Sequence, residues 1–78
     1  MAKIRVYSTP ACPHCVMLKD WLREKGVGFE DIDVSRDQEK AQEMVSRSGQ
    51  MGVPQTEING KVIVGFDREA LERELERG

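Results

Sequence analysis

The chain has 78 residues, with 12 basic against 14 acidic side chains and a net charge of -2. The two signs are interspersed, which excludes the basic face that a nucleic-acid partner requires. No apolar run approaches the ~20 residues that span a bilayer, so no membrane partner is expected, and the length sets the expectation of one domain, residues 1–78, around one modest core.

The segment Ile4-Arg5-Val6-Tyr7 is short and β-prone and stops at Thr9-Pro10, so it predicts a strand entering a loop. Leu18, Trp21 and Leu22 then recur at i, i+3, i+4 among Lys19, Asp20, Arg23 and Glu24, which predicts a helix over Pro13–Lys25 ended by Gly26. Ile32 and Val34 mark a second strand over Phe29–Val34, joined to the first by a right-handed crossover and parallel to it. Ser35 with Gln38 matches a capping box, and Ala41, Met44, Val45 and Ser48 trace one face of a second helix up to Gly49. Asn59-Gly60 supplies the two positive-φ residues of a type I′ turn, so the strand before it, Gln55–Ile58, and the strand after it pair antiparallel. Gly65 ends that last strand. Asp67 caps a final helix whose buried stripe is Ala70, Leu71 and Leu75 and whose charged face, Arg68 to Arg77, reads as solvated. The order is β-α-β-α-β-β-α, an α/β fold with three helices and four strands. Tyr7 and Trp21 are expected in its core.

Chemistry concentrates at Cys12-Pro13-His14-Cys15. A bridge between cysteines this close removes little chain entropy, so the pair is a poor staple and a good reagent. Met1-Ala2-Lys3 leads straight into strand-like sequence without the charged and apolar segments of a secretory leader, so a cytoplasmic protein is expected, and in a reducing compartment such a pair is redox-active or metal-binding. A helix N-terminus offers unpaired N–H groups and partial positive charge. A thiol with a pKa of ~8.5 is about 3% thiolate at pH 7, and a shift to ~6 makes it about 90% thiolate. Cys12, at the outer end, is the expected nucleophile, and Cys15, one turn inside, the resolving thiol. Pro13 suits the first helical position, where an N–H has no intrahelical partner. The other readings are two small buried residues or half a zinc site, and zinc needs four ligands where the chain offers Cys12, Cys15 and the lone His14, so no metal is assigned. His14 has two readings: a tuner whose imidazolium stabilises the Cys12 thiolate and makes the protein more oxidising, or a solvent-facing residue.

Val53-Pro54 is the second constellation. A proline just before a strand cannot donate to the ladder and marks an edge or bend, and the residues alone favour a trans bond, since cis occurs at only ~5% of X-Pro bonds. Arg47 and Gln50 could meet a carboxylate near this corner but read as solvated groups at a helix end, and Lys19 reads as a surface lysine.

Three segments in order, Tyr7-Ser8-Thr9-Pro10-Ala11-Cys12-Pro13-His14-Cys15, Gly52-Val53-Pro54-Gln55 and Gly65-Phe66-Asp67, resemble the glutaredoxin family, the compact branch of the thioredoxin-like fold. The resemblance covers nearly the whole chain. It implies a mixed four-stranded sheet and a thiol-disulfide oxidoreductase with no bound cofactor and with glutathione as a candidate co-substrate. Implied partners are disulfide-containing or glutathionylated proteins, with glutathione or thioredoxin reductase as electron source, acting on a monomer. It also implies that Val53-Pro54 is cis and faces the cysteines, that the Val53 backbone pairs with an extended substrate, that Gly65, Phe66 and Asp67 flank it, and that Lys19 lies close to the reactive end of the first helix. Asp67 keeps its competing reading as a helix cap, and Phe66 as a core aromatic. Two positions depart from the family habit. Thr9 stands where glutathione-binding members usually carry a lysine, and Arg68 stands where the second of two acids is usual. The Gly65-Phe66 pair is more like redoxins that serve ribonucleotide reductase and are recharged by thioredoxin reductase. A third reading, an iron-sulfur carrier, is disfavoured because such members usually lack a proline at the position of Pro13.

Overall fold

The strand over Ile4–Ser8 (β1) runs inside the sheet, with an apolar residue to bury on each face, Val6 on one and Tyr7 on the other. In the computed structural model, which describes residues 3–77, Val6 and Tyr7 are both essentially inaccessible. Around it stand α1 (Pro13–Glu24), β2 (Glu30–Asp33), α2 (Gln38–Ser48), β3 (Gln55–Ile58), β4 (Lys61–Val64) and α3 (Arg68–Arg77). The sheet order is β2-β1-β3-β4. β1 pairs parallel with β2, in the register Tyr7 opposite Ile32, and antiparallel with β3, in the register Val6 opposite Thr56. The hairpin β3-β4 turns at Asn59 and Gly60, whose φ values of 52° and 87° are the two positive angles the Asn-Gly pair predicts.

The strand period sorts side chains to two faces. Ile4, Val6, Ile58 and Ile63 meet Leu18 and Leu22 of α1 and Leu71 of α3, while Tyr7 and Ile32 meet Met44 of α2 on the other side. Three helices thus cover a four-stranded mixed sheet. Tyr7 is fully buried as expected; Trp21 is only half-buried, packing edge-on against Phe66 at 5.9 Å with Lys25 over its ring. Among the described residues no helix is long and apolar enough to cross a membrane.

Two sequence expectations are corrected and one is refined. The capping box at Ser35 does not form: Asp37 is the N-cap of α2, its Oδ1 accepting the Lys40 N–H at 3.2 Å, because Ser35 is held in a preceding turn by Asp33 through both its N–H and its hydroxyl. Arg47 is exposed at the end of α2 as expected, but it is ion-paired as well as solvated. It reaches across to Glu57 of β3 at 2.6 Å and also contacts Glu43, and this pairing lets the polar strand β3 lie against a helix. The charged face of α3 is not wholly solvated either, since Glu74 is buried and paired with Lys61 at 3.1 Å. Asp67 does cap α3, its Oδ1 accepting the Ala70 N–H at 3.2 Å, and Gly26 and Gly49 take the left-handed conformation that ends α1 and α2.

Candidate active site

Cys12 is the N-cap of α1: extended in backbone, with Pro13 opening the helix behind it. Its Sγ therefore sits over the first turn's unpaired donors, and accepts the Cys15 N–H at 3.3 Å. Cys12 is partly exposed, whereas Cys15, one turn along, has no accessible surface. Hydrogen bonding to the ionised form holds the Cys12 thiol below the ordinary thiol range. The Cys15 thiol is the first donor, opposed by partial burial, and the backbone N–H groups of Cys15 and His14 add to it. The same contact works in reverse on Cys15. Burial, then its hydrogen bond to Cys12, push it up to about 11. The pair is thereby split into one ionisable outer thiol and one protonated inner thiol.

Across from Cys12 stands the loop before β3. The Val53-Pro54 bond is cis, as the family resemblance implied, and the Val53 carbonyl lies 3.8 Å from Cys12 Sγ as an acceptor for its thiol. Two interactions hold this loop. The Pro54 carbonyl accepts the Gly65 N–H at 2.8 Å, and the fully buried Gln55 side chain donates through Nε2 to the carbonyls of Gln50 at 3.0 Å and Gly52 at 2.8 Å. Sequence reasoning gave Gln55 no role; its presence at the end of a Val-Pro turn, polar where a core residue belongs, was the available signal.

A groove of about 510 Å³ runs from this point, with His14 and Met17 on one wall, Val53 and Pro54 at one end, and Gly65, Phe66 and Arg68 on the other wall. Of the residues singled out in sequence, Cys12, His14, Val53, Pro54, Gly65 and Phe66 are thus brought together. Asp67 is not among the lining residues; its carboxylate is occupied in capping α3. Phe66 serves both as groove wall and as packing against Trp21. His14 itself is exposed, and its backbone N–H is one of the groups that favour the Cys12 thiolate. Lys19, expected on the surface, is instead largely covered and paired with Asp31 at 3.1 Å. Among the described residues no three His, Cys, Asp or Glu side chains gather closely enough to hold a metal ion.

A low-lying thiol at a helix N-terminus, a buried second thiol one turn behind it, and the carbonyl before a cis-proline facing the outer thiol, on this sheet order, define a thioredoxin-like thiol-disulfide oxidoreductase. The glutaredoxin family profile matches residues 4–63. A glutaredoxin-like 8.6 kDa protein from the rubredoxin operon of Clostridium pasteurianum is 40% identical over 74 residues, 95% of this chain and 99% of that one. Glutaredoxin 3 of Escherichia coli is 37% identical over 67 residues, 86% of this chain and 81% of that one. In three dimensions the glutaredoxin of Archaeoglobus fulgidus superposes with a TM-score of 0.88 at 29% identity, covering 100% of this chain and 89% of that one. The chain belongs to the glutaredoxin family.

Proposed function

We propose that this protein reduces disulfides of extended protein segments, and glutathione mixed disulfides less well, with Cys12 as the attacking thiolate and Cys15 as the resolving thiol. The observation that carries the reading is the asymmetry of the pair: Cys12 is partly exposed beside Val53, while Cys15, one turn along α1, is fully buried. Attack by Cys12 Sγ on a substrate disulfide expels one substrate thiolate and leaves a Cys12 mixed disulfide. Cys15, on losing its proton, then attacks Cys12 Sγ and expels the second, leaving the protein oxidised and the substrate reduced. The Val53 backbone, beside Cys12 at the groove's end, pairs with the substrate chain in strand-addition fashion, with Pro54, Gly65 and Phe66 as its apolar neighbours. No resident cofactor is needed; thiols recharge the pair. The reading has the protein work as a monomer in a reducing cytoplasm.

Charge in the groove favours protein segments over glutathione. Thr9 supplies no cation for a glycyl carboxylate, and Arg68 brings a cation to the wall where the family habit is an acid that would meet an ammonium. Recharging by thioredoxin reductase is the second reading that these two residues favour. Turnover coupled to glutathione and glutathione reductase, compared with thioredoxin reductase, tests both. Poor glutathione turnover is expected in the parent, improved several-fold by Thr9→Lys with Arg68→Asp, since one restored charged contact at a partly exposed site contributes about 1 kcal/mol. Fast glutathione turnover in the parent that the double variant leaves unchanged would refute this reading of the groove.

A further inference from the structure

The groove that ends at Val53 carries its charge unevenly. Its walls are mostly apolar, with Met17 half exposed on one side and Phe66 on the other, and among the described residues no carboxylate lines it. Arg68 is its permanently charged lining residue, and the fold makes no use of that charge. Arg68 is the first residue of α3, where the helix dipole disfavours a cation. Its natural partner one turn along would be Glu72, but Glu72 pairs with Lys25 at the end of α1 at 3.3 Å. The neighbouring carboxylate of Asp67 is taken up in accepting the Ala70 N–H. Lys19, Lys25, Arg47 and Lys61 each hold a carboxylate, whereas the exposed Arg68 guanidinium meets none among the described residues.

We propose that Arg68 makes this groove selective for disulfides set in acidic segments, its guanidinium pairing with an aspartate or glutamate side chain a few residues from the substrate cysteine. The proposal rests on the dithiol reading above and names the substrate class for it. Position and charge carry it. Cys12 Sγ lies 3.8 Å from the Val53 carbonyl, and Val53 and Arg68 line the same groove of about 510 Å³. A segment that pairs with the Val53 backbone while its cysteine meets Cys12, advancing ~3.3 Å per residue, therefore passes Arg68 within a few residues. Such a segment continues past its cysteine in both directions, so the carboxylate it offers is a side chain's. The planar guanidinium takes a carboxylate through two parallel N–H donors, and apolar walls strengthen the pair relative to open water. A lysine in the segment meets repulsion from Arg68 and finds no acid on the walls to receive it. His14, on the opposite wall, is the other ionisable lining group, and when protonated it adds charge of the same sign. Arg68 moves no proton and no electron; it selects by binding.

Alanine peptides blocked at both ends, with a central cysteine held as a mixed disulfide with thionitrobenzoate, provide the test. Glutamate, glutamine or lysine replaces the alanine at each other position in turn. Attack of Cys12 on the peptide sulfur expels the coloured thionitrobenzoate, and Cys15 then frees the peptide. Each rate constant is divided by that of the same peptide with dithiothreitol, which removes the peptide's own effect on its disulfide, and peptides are compared only within one protein. The reduced parent is expected to prefer glutamate to glutamine about threefold at low salt at the position that meets Arg68, the size of an exposed ion pair, with lysine slower than glutamine there. Added salt should erase the preference. Arg68→Gln should abolish it, and Arg68→Glu should reverse it in favour of lysine, a reversal that damage to the fold does not produce. A parent that treats all the peptides alike, or a glutamate preference that survives in Arg68→Glu, would overturn the proposal. Release that Cys12→Ser leaves undiminished would instead remove the dithiol reading, and the proposal with it.

Discussion

Cys12 and Cys15 are chemically identical and three residues apart, yet the fold pushes their ionisation in opposite directions through one shared hydrogen bond. The thiol of Cys15 donates to the sulfur of Cys12, favouring the thiolate of the acceptor and the protonated form of the donor. The sign for pH dependence follows. A lowered Cys12 midpoint means that its reactive form is present above that midpoint and is lost as pH falls through it. His14 belongs to the same scale. Its place in the motif left two readings open, an imidazolium that stabilises the Cys12 thiolate and a solvent-facing residue. The structure supplies a backbone N–H from His14 toward Cys12 and sets the residue on the groove wall. A backbone donor survives substitution, so His14→Val is expected to leave the Cys12 alkylation midpoint within about 0.3 pH unit and the reduction potential within about 15 mV. A potential more negative by 30 mV or so would return the tuning to the imidazolium.

At the scale of elements, periodicity and turn chemistry carried the fold well. The apolar stripe of α1, the Asn59-Gly60 turn and the left-handed glycines at the ends of α1 and α2 all lie where the residue pattern predicts them. The start of α2 was misread for a physical reason. Ser35 and Asp37 both suit a cap, and the choice depends on Asp33, which captures Ser35 first. Asp37→Ala should therefore destabilise the protein by about 1 kcal/mol, while Ser35→Ala costs less than half of that, as read by urea denaturation. Equal losses would mean that the helix start is shared. The polarity of β3 was likewise uninterpretable along the chain, because Glu57 gains its partner, Arg47, from α2, the helix that covers the sheet face Glu57 shares with Tyr7.

The whole molecule brings together what sequence order keeps apart. The groove draws on the first turn of α1, the loop before β3 and the loop after β4, and none of the three announces the others. Local pattern made the Cys12-Pro13-His14-Cys15 site legible as redox chemistry. The cis bond at Val53-Pro54 and its place opposite Cys12 were legible only through family resemblance, since nothing local distinguishes it from a trans proline opening a strand. Lys19 and Asp31 lie in different elements and meet only because β1 and β2 pair in parallel beside α1. Gln55 likewise declares its role only once the carbonyls of Gln50 and Gly52 turn toward it. The central claim, that Cys12 attacks and Cys15 resolves, is tested most directly by trapping. Each single Cys→Ser variant is incubated with a model disulfide and the covalent adduct is located by mass spectrometry. Cys15→Ser should accumulate a stable mixed disulfide on Cys12 while Cys12→Ser stays unmodified at neutral pH; an adduct that builds up on Cys15 in Cys12→Ser, with none on Cys12 in Cys15→Ser, would contradict the account.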